Sequence, residues 1–426
     1  MQRVLLITHC YPPKPIIGGL RPCGLAKYLP LYGWEVIVLT PRVLKGKRPG
    51  ARVIETEDRD VLQDFKTKFG LNPRLGLHDQ FRLPLSSKPN TKLLHTKAID
   101  WLKRWLEYPD SAKGWIRFAL EAVADFAKRE HVDAILTTSP PESCHMIGAQ
   151  AKKLLRRPWI ADFRDLWTQN LTQQNHGSDR LRVRLEKKTL EVADALVTVS
   201  YPWATRLGER YAAKPIYTIS NGFDPDDFQH RPQRLTGCFS ITHAGQLYEG
   251  KRDPSVLLEV VAELIREQAL SATDVQVRFY GEVEPWLPPL ISRHRLQGVV
   301  ELHGVLTREE VVQREMESQV LLLLGWSDAK ETGQHTGKLF EYLGAGRPTL
   351  AVGGSKGVLT EVLAETKSGI HALSKEQLRQ CLITMYREFR QEGQVRYYPD
   401  RRAVEQYSHR EMARRFAEVL NKFGSN

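Results

Sequence analysis

The stretch "TGQHTGKLFEYLGAGRPTLAVGG", residues 332–354, decides the fold class because a glycine-rich loop, a helix and a strand follow one another within it. Thr336 is the predicted N-cap, and KLFEYLGAG is the helix that it begins. The apolar run PTLAVGG then reads as a buried strand. This succession is typical of a parallel α/β sheet.

The same stretch comes close to a P-loop, since Gly333, Gly337 and Lys338 nearly match that pattern. A P-loop has four residues between its glycines and a Ser or Thr after its lysine, which ligates magnesium. Here three residues separate the glycines, and Leu339 follows the lysine. The sequence therefore excludes a P-loop hydrolase, although a helix N-terminus can still hold an anion without magnesium.

Outward from this stretch, short apolar runs alternate with helical stretches in two series. The first series is VLLIT (4–8), WEVIVLT (34–40), DAILTTS (133–139), PWIADF (158–163), ADALVTVS (193–200) and PIYTISNG (215–222). The second is FSITHAG (239–245), VQVRFYG (275–281), VVELHG (299–304), QVLLLLG (319–325) and PTLAVGG (348–354). The pattern predicts an α/β fold with two Rossmann-like domains facing each other across a cleft.

The polar, proline-containing segment 225–238 is the predicted linker between these domains. We expect an N-terminal domain over 1–228, a C-terminal domain over 239–405 and a final helix over 406–426. The region of about 43–115 is a predicted basic insertion, of which 43–95 is the least regular part.

Composition is ordinary for a globular protein, with 41% hydrophobic and 26% charged residues. The first apolar run is too short for a signal peptide, and no run of about 18 apolar residues could span a bilayer. The five scattered cysteines lack CxxC spacing, which favours a reducing cytosol and argues against a structural metal.

Most of the net charge of +12 is concentrated between Arg42 and Arg117, where seventeen Lys and Arg face nine Asp and Glu. Such a stretch could contact nucleic acid, anionic lipid or a phosphorylated substrate, or it could be a solvated surface. Within residues 97–106, Trp101 and Trp105 lie four apart and are flanked by Lys103 and Arg104. This composition suits an interfacial helix on anionic lipid, and a helix packed on the domain would show the same apolar stripe.

Ligands of open α/β sheets bind at the carboxyl ends of the strands, so the loops after the strands hold the candidate site. In the first domain these are the Gly18-Gly19 loop and the "DFRDLW" loop with Asp162, Arg164 and Asp165. The charged groups could orient a hydroxyl or transfer a proton, or they could form an internal ion pair.

In the second domain, the loop "AGQLYEGKRDP" (244–254) brings Lys251 and Arg252 close to a strand end, where they suit a pyrophosphate or are surface charges. Glu341 lies on the same helix face as Lys338 and can accept hydrogen bonds from adjacent sugar hydroxyls. Diphosphate at the helix tip and ribose at Glu341 indicate a nucleotide-sugar.

These motifs together resemble the retaining GT-B-type glycosyltransferases of family 4. The landmarks are the Gly18-Gly19 loop, "PWIADFRDLW", "VSYPWATRL", "ISNGFD", "AGQLYEGKRDP", "ELHGVLTREEV" and "KLFEYLGAGRP". The resemblance implies transfer of a sugar from a nucleotide-diphosphate donor to an acceptor hydroxyl, with retention of configuration. It also implies a role in cell-surface polysaccharide or glycoconjugate biosynthesis.

The resemblance implies the following roles for single residues. Lys251 or Arg252 would neutralise the diphosphate, the backbone of Val305 would contact the base, and Glu341 would bind the ribose. The region from Asp162 to Asp165 would be the acceptor-side catalytic loop, with Asp162, Arg164 and Asp165 as catalytic candidates. The donor-side candidates are Gly19, Gln246, Lys251, Arg252, Val305, His335, Thr336, Gly337, Lys338 and Glu341. The sequence departs from the family pattern at Gly333 and Gln246, where a glutamate and an arginine are usual.

The expected partners are a nucleotide-sugar donor, a glycan or lipid-linked acceptor and an anionic membrane surface, without nucleic acid, cofactor or metal. The expected location is the cytoplasm or the inner face of the cytoplasmic membrane. Three alternatives stay open: a sugar-nucleotide 2-epimerase of the same fold, a non-enzymatic basic protein that binds nucleic acid or lipid, and an inactive transferase.

Overall fold

The computed structural model describes residues 1–13, 17–42, 51–72, 75, 102, 105–170, 180–230, 234–326, 333 and 336–424. The chain divides into two compact units. Unit 1 comprises Met1–Val199, Trp203–Ile219 and Ala413–Asn426, and unit 2 comprises Ser200–Pro202 and Ser220–Met412.

Unit 1 is built on a sheet of seven strands in the described part of the chain. The strands are β1 (Gln2–Ile7), β2 (Trp34–Pro41), β3 (Arg52–Thr56), β4 (Ala134–Ser139), β5 (Trp159–Phe163), β6 (Ala195–Thr198) and β7 (Ile216–Thr218). Their order is β3-β2-β1-β4-β5-β6-β7, and every neighbouring pair is parallel. The central strands are buried on both faces, which is why they read as continuous apolar runs rather than alternating ones.

Helices connect these strands and cover the two faces of the sheet. They are α1 (Leu20–Tyr28), α2 (Val61–Lys68), α3 (Trp115–Ala127), α4 (Ser143–Leu155), α5 (Arg180–Leu190) and α6 (Tyr201–Arg210). The side chains of Trp34, Trp115, Trp159 and Trp203 are among the largest that are fully buried. Each such burial stabilises the fold by several times the ~0.8 kcal/mol of one methylene group.

Unit 2 has a second parallel sheet, with the strand order β10-β9-β8-β11-β12-β13. The strands are β8 (Phe239–Ala244), β9 (Val275–Tyr280), β10 (Val300–Leu302), β11 (Val320–Leu324), β12 (Thr349–Val352) and β13 (Gly369–Ala372). The helices are α7 (Ser255–Arg266), α8 (Leu287–Arg293), α9 (Arg308–Glu317), α10 (Gly337–Ala345), α11 (Val358–Thr366), α12 (Lys375–Glu392), α13 (Arg401–Glu405) and α14 (His409–Phe423).

Both sheets reverse their winding direction beside the first strand of the series. In unit 1 the reversal lies between β1 and β4, and in unit 2 it lies between β8 and β11. At such a switch point the loops after the two strands run to opposite sides and leave a crevice at the carboxyl edge. The sheet order therefore places the candidate loops of each unit where a ligand can enter.

The segment 43–95, which the sequence indicated as the least regular part, contains two regular elements in its described residues. Residues 52–56 form β3, which pairs with β2 at the edge of the sheet, and residues 61–68 form α2. The edge strand RVIET has only two apolar residues, Val53 and Ile54, because an edge strand has one neighbour and avoids long apolar runs. The other edge strand that the sequence reading missed is β13, four residues with the sequence GIHA.

The boundary between the units lies earlier than the predicted linker. The main segment of unit 2 begins at Ser220, and a short 3-10 helix spans Pro225–Phe228. The backbone N–H of Phe223 donates to the carbonyl of Tyr407 at 3.0 Å, and Phe228 is buried. The segment therefore packs as part of unit 2, since the apolar rings at 223 and 228 need a core to cover them.

The end of the chain packs with unit 1 from Ala413 onward. The indole Nε1 of Trp34 donates to Asn421 Oδ1 at 2.9 Å, and the Arg21 guanidinium lies 5.0 Å from the centre of the Phe416 ring. Among the described helices, none is both long and apolar enough to cross a membrane.

Candidate functional site

Five strands of unit 2 are each followed by a glycine at the carboxyl edge of the sheet: Gly245, Gly281, Gly304, Gly325 and Gly353. Gly281 has a φ of 151°, and a Cβ there would lie 2.6 Å from the carbonyl oxygen of Gly245. A Cβ on Gly325 would overlap the carbonyl oxygen of Gly353. These contacts exclude a side chain, so the edge presents bare backbone that a ligand can approach closely. We call these five residues the glycine floor.

The two cations that the sequence singled out lie beside the glycine floor. The Arg252 guanidinium lies 5.7 Å from the centre of the Trp326 ring, and Lys251 Nζ lies 5.3 Å from it. Arg252 and Trp326 line an open pocket together with Gly325 and Thr336. Two positive charges next to bare backbone form a site suited to a phosphate group.

The helix α10 begins at this pocket, as the sequence predicted. Thr336 is its N-cap with extended backbone angles, and Gly337 is its first residue. The Thr336 hydroxyl makes no capping hydrogen bond. The first N–H groups of a helix have no partners within it, so they are available to an anion. His335, the third member of the predicted amide group, lies outside the described residues.

Glu341 and Lys338, one helical turn apart on α10, are in direct contact as their spacing predicted. The Lys338 ammonium bonds Glu341 Oε1 and lies 3.3 Å from Glu315 Oε1 on α9. Arg308, the first residue of α9, donates to Glu341 Oε2 at 2.9 Å and to Asp227 Oδ2 at 2.7 Å. Glu341 is therefore held from both sides by cations.

This arrangement sets the protonation of the two carboxyl groups. Burial raises the pKa of Glu341, but the charges of Lys338 and Arg308 outweigh it and lower the pKa to about 2. Burial raises the pKa of Glu315 well above its ordinary value, and the neighbouring Glu341 carboxylate adds to that effect. Glu341 is thus an ionised acceptor, while Glu315 is a buried group that resists ionisation.

The remaining donor-side candidates are at the surface. Val305 is 73% exposed in the loop after β10, where its backbone is accessible. Gln246 is exposed, and its Oε1 accepts a hydrogen bond from the Tyr248 hydroxyl at 2.7 Å. Sequence reasoning missed Trp326 and Arg308, although each lies in or beside a quoted motif: Trp326 directly follows LLLLG, and Arg308 is part of LTREEV.

In unit 1, the structure separates the three residues of the DFRDLW loop. Asp162 is fully buried, and its carboxylate accepts two hydrogen bonds from Arg21 and one from the Thr138 hydroxyl. This is the geometry of the internal ion pair that the sequence left open. Asp165 is half-buried and follows the strand at the carboxyl edge.

Arg164 joins three loops at the carboxyl edge of unit 1. Its Nε donates to the carbonyl of Ser139 at 3.1 Å, and its two terminal nitrogens bond the carbonyls of Gly18 and Pro140. Gly18 has no space for a side chain, because a Cβ would overlap this guanidinium. Gly19 is buried at the start of α1. The loops after β1, β4 and β5 thus form one structure, tied together at the switch point.

A histidine that the sequence reading did not single out lies at the same edge. His9 directly follows β1, and its Nε2 lies 2.9 Å from Asp58 Oδ2, in the segment after β3. The His9 and Trp115 rings meet edge to face with their centres 5.5 Å apart. A carboxylate and an indole therefore fix the imidazole ring, as a group that bonds a ligand hydroxyl requires.

The candidate interfacial helix, residues 97–106, falls mostly outside the described residues, including Lys97, Trp101, Lys103 and Arg104. Trp115 is fully buried in the core, so it is not an interfacial side chain. Trp105 is 64% exposed, and Lys113 Nζ lies 3.4 Å from its carbonyl oxygen. In the part of the chain that the structure describes, no cluster of His, Cys, Asp and Glu is placed to hold a metal ion.

Comparison with known proteins finds a family model that matches just under half of the chain. Residues 19–222 match the family model described as "Glycosyl transferase 4-like domain". A search of the curated proteins found no match to the sequence.

Solved structures match over almost the whole chain at low identity. Sucrose-phosphate synthase from Thermosynechococcus elongatus is 16% identical with a TM-score of 0.63, and the match covers 99% of each chain. HepE from Anabaena, in complex with UDP and glucose, is 14% identical with a TM-score of 0.61 over 99% of this chain and 100% of HepE. WaaG, a glycosyltransferase involved in lipopolysaccharide biosynthesis, is 14% identical with a TM-score of 0.51 over 99% and 97%. These similarities confirm the predicted GT-B fold, with its two parallel sheets.

Proposed function

We propose, from the match of residues 19–222 to the glycosyl transferase 4-like domain, that this chain is a glycosyltransferase which transfers a sugar from a nucleotide-diphosphate donor. The observation that carries the donor assignment is in unit 2. There Gly325 and Gly353 of the glycine floor, Arg252 and Thr336 at the start of α10 line one pocket. Bare backbone, a cation and a helix N-terminus are the features that a diphosphate needs.

Each group at this pocket has a distinct part in the proposal. Lys251 and Arg252 neutralise the diphosphate, and the amides of His335, Thr336 and Gly337 bond the phosphate and sugar. Lys338 holds Glu341, which bonds the ribose, while Gln246 and the Val305 backbone contact the outer parts of the donor. HepE has been solved with UDP and with UDP-glucose, which supports uridine diphosphate as the first donor nucleotide to test.

The chemistry that these groups supply is stabilisation of charge on the leaving diphosphate. As the bond from the anomeric carbon to the phosphate oxygen breaks, negative charge develops on that oxygen. Each well-placed donor contributes about 2–4 kcal/mol by analogy with one oxyanion-hole donor. Two cations supply this charge without a metal ion. We propose that the transfer retains configuration, with the leaving diphosphate taking the proton of the acceptor hydroxyl.

The acceptor assignment rests on unit 1. Arg164, Asp165 and His9 lie at its carboxyl edge, where the switch point of the sheet offers a second crevice. We propose a glycan or lipid-linked acceptor there, within cell-surface polysaccharide or glycoconjugate biosynthesis in the cytoplasm.

A thermal-shift screen of UDP-, GDP-, ADP-, dTDP- and CMP-sugars tests the donor assignment. A ligand at 100 times its dissociation constant stabilises the folded state by about 2.7 kcal/mol. Glu341→Ala is expected to remove that shift. If no nucleotide-sugar shifts the wild type, or if the variant binds as well as the wild type, the assignment is wrong. Release of free nucleotide and an epimerised sugar without an acceptor would identify a sugar-nucleotide epimerase instead.

The basic stretch supports a further part of the proposal, peripheral binding to an anionic membrane surface. Each Lys or Arg near such a surface contributes about 1 kcal/mol. Sedimentation with vesicles containing phosphatidylserine checks it, and binding should disappear at high salt or in the Lys103→Glu/Arg104→Glu variant. A protein that stays in the supernatant at low salt with excess anionic lipid contradicts this part and leaves the donor assignment untouched.

A further inference from the structure

The feature behind this inference is a buried histidine in β8, two residues before Gly245 of the glycine floor. His243 is 3% exposed, and its Nδ1 lies 3.0 Å from the carbonyl oxygen of Leu322 on β11. A carbonyl oxygen only accepts hydrogen bonds, so Nδ1 carries the proton of the neutral ring and Nε2 is an acceptor. This buried Nε2 has no hydrogen-bond partner among the described residues.

The unpartnered nitrogen lies next to the space above Gly245. A Cβ placed on Gly245 would lie 3.7 Å from His243 Nε2 and 3.5 Å from Lys338 Cε, with no closer neighbour. The φ of 143° at Gly245 is one that other residues rarely adopt, so this space stays without a side chain. An oxygen atom less than about 1 Å from that Cβ position is within hydrogen-bonding distance of Nε2. The floor therefore leaves room for a ligand oxygen between the histidine and the lysine.

In the free protein the imidazole is neutral at physiological pH. Burial lowers the pKa of His243 to about 4, and the positive charges of Lys338 and Arg252 add to this effect, while the bond to the Leu322 carbonyl opposes it. A phosphate oxygen also only accepts hydrogen bonds, so the neutral ring offers it no donor at Nε2. Binding of an anion here favours the protonated ring, in which Nε2 becomes a donor.

The other titratable groups around this histidine are already paired or protonated. The carboxylates of Glu315 and Glu341 both pair with Lys338 on the α10 side. The Tyr342 hydroxyl stays protonated because burial raises its pKa. Glu315 is therefore the one group among these that could also exchange a proton when a ligand binds, since its pKa is raised by burial.

We propose that His243 is a further diphosphate-binding residue, which takes up a proton from solvent when a nucleotide-sugar binds and then donates from Nε2 to a diphosphate oxygen. The inference rests on the proposed function and adds proton coupling to its donor site. An opposite charge within about 4–6 Å shifts a pKa by about 1–3, and a diphosphate brings two such charges. The imidazolium then joins Lys251 and Arg252 as a third cation, and it returns its proton to solvent when the diphosphate leaves.

Titration calorimetry in buffers of different ionisation enthalpy measures the proton uptake. The probes are UDP-, GDP-, ADP- and dTDP-glucose, because a diphosphate esterified at both ends lacks the second phosphate ionisation near about pH 6. For the probe that binds, the wild type should take up more than about half a proton at pH 6 and less than about a tenth at pH 8. Its affinity should rise about four- to tenfold from pH 8 to pH 6.

The variants His243→Asn and His243→Gln should abolish the uptake and the pH dependence, because neither amide side chain titrates. Asn retains an N–H near the Leu322 carbonyl, and Gln retains one near the Nε2 position, so the two variants disturb the fold differently. Glu315→Gln should keep both effects, which separates His243 from the other buried group near Lys338. His294→Gln is the matched control, since His294 is half-buried directly after α8.

Thermal melts verify that each variant is folded. If the wild type binds a probe without taking up protons, this inference fails and the proposed function stands. The inference also fails if uptake persists in both His243 variants, or if it is lost in Glu315→Gln. If the wild type binds none of the four probes, the proposed function itself fails, and the proton coupling with it.

Discussion

The carboxylate of Asp162 and the guanidinium of Arg21 form a two-point ion pair in the core of unit 1, with oxygen–nitrogen distances of 2.9 and 2.8 Å. The Asp162 and Arg21 side chains are 0% and 3% exposed. Arg21 Nη2 also donates to the carbonyl of Ile219 at 2.9 Å, so the pair connects α1, β5 and the end of the first series of strands. A group that is enclosed in this way stabilises the fold rather than contacting a substrate.

We therefore expect Asp162→Asn to destabilise the protein by about 3–5 kcal/mol, because it leaves a buried guanidinium without its counter-charge. Chemical denaturation measures the loss. Asp165→Asn serves as the comparison: it should lower turnover while donor affinity stays unchanged. A stable Asp162→Asn protein with lost turnover would instead make Asp162 a catalytic group.

Replacing both Lys251 and Arg252 with alanine should abolish or badly weaken binding of the nucleotide-sugar. A hydrogen bond from a charged donor contributes about 1.5–3 kcal/mol, so the double variant should bind at least a hundredfold more weakly. Calorimetry with a UDP-sugar measures the change. Lys375→Ala is the control, because Lys375, at the start of α12, pairs with Glu259 and Glu263 on α7. If the double variant binds like the control, the diphosphate lies elsewhere.

Stability should depend on pH through Glu315. Its pKa is raised in the folded state by burial, so the unfolded chain loses this proton at lower pH than the folded chain. The contribution of Glu315 is complete below about pH 4.5 and is lost as pH rises toward its folded pKa. The Glu315→Gln variant stays neutral, and its free energy of unfolding relative to wild type should therefore increase as pH rises above 4.5.

Thermal melts of wild type and Glu315→Gln from pH 4 to pH 8 measure this difference in stability. Glu309→Gln is the matched control, since Glu309 is exposed on the same helix. A difference between Glu315→Gln and wild type that stays constant over this range would show that Glu315 ionises in the folded protein as it does in the unfolded chain.

His9→Gln should lower turnover by about a hundredfold without changing donor affinity. The reason is that the imidazole is fixed by Asp58 and Trp115 and, if the acceptor binds at the edge of unit 1 as proposed, would take a hydrogen bond from its hydroxyl. Turnover and calorimetry are measured on the same preparation. His131→Gln, an exposed histidine of the same unit, is the control. Loss of donor affinity in His9→Gln would contradict an acceptor-side role.

The strands whose burial is complete were predictable from sequence, and so were the edge strands β7 and β10, but the edge strands β3 and β13 were not. Apolar runs such as VLLIT and QVLLLLG correspond to β1 and β11 because strands covered on both faces need continuous apolar residues. β3 and β13 lie at sheet edges, where a short and mixed sequence is sufficient. Each of these strands pairs with its neighbour because the rest of the sheet is in place. The local sequence pattern does not encode that pairing.

In the candidate site, too, some contacts were predictable from sequence and others were not. Lys338 and Glu341 were predictable as neighbours because they lie three residues apart on one helix. The contact of Arg308 with Glu341 joins residues 33 positions apart, and that of His9 with Asp58 joins residues 49 positions apart. Such contacts depend on strand order. The sequence therefore contains these residues but does not predict that they are in contact. The difference between Asp162, Arg164 and Asp165 also depends on their partners in other loops, which the local sequence does not show.

The glycine floor has a consequence for how this protein can change over evolutionary time. A recognition surface made of main chain has no side chain to mutate. Gly281 and Gly325 cannot be replaced without displacing a neighbouring carbonyl, and Gly245, Gly304 and Gly353 have a positive φ that other residues rarely adopt. Variation is left to the exposed loop positions around it, such as Val305 and Gln246. A lineage could therefore exchange one base or sugar for another through a few loop substitutions while inheriting the phosphate-facing surface unchanged. Directed evolution toward a new donor should begin at those loops and leave the floor alone.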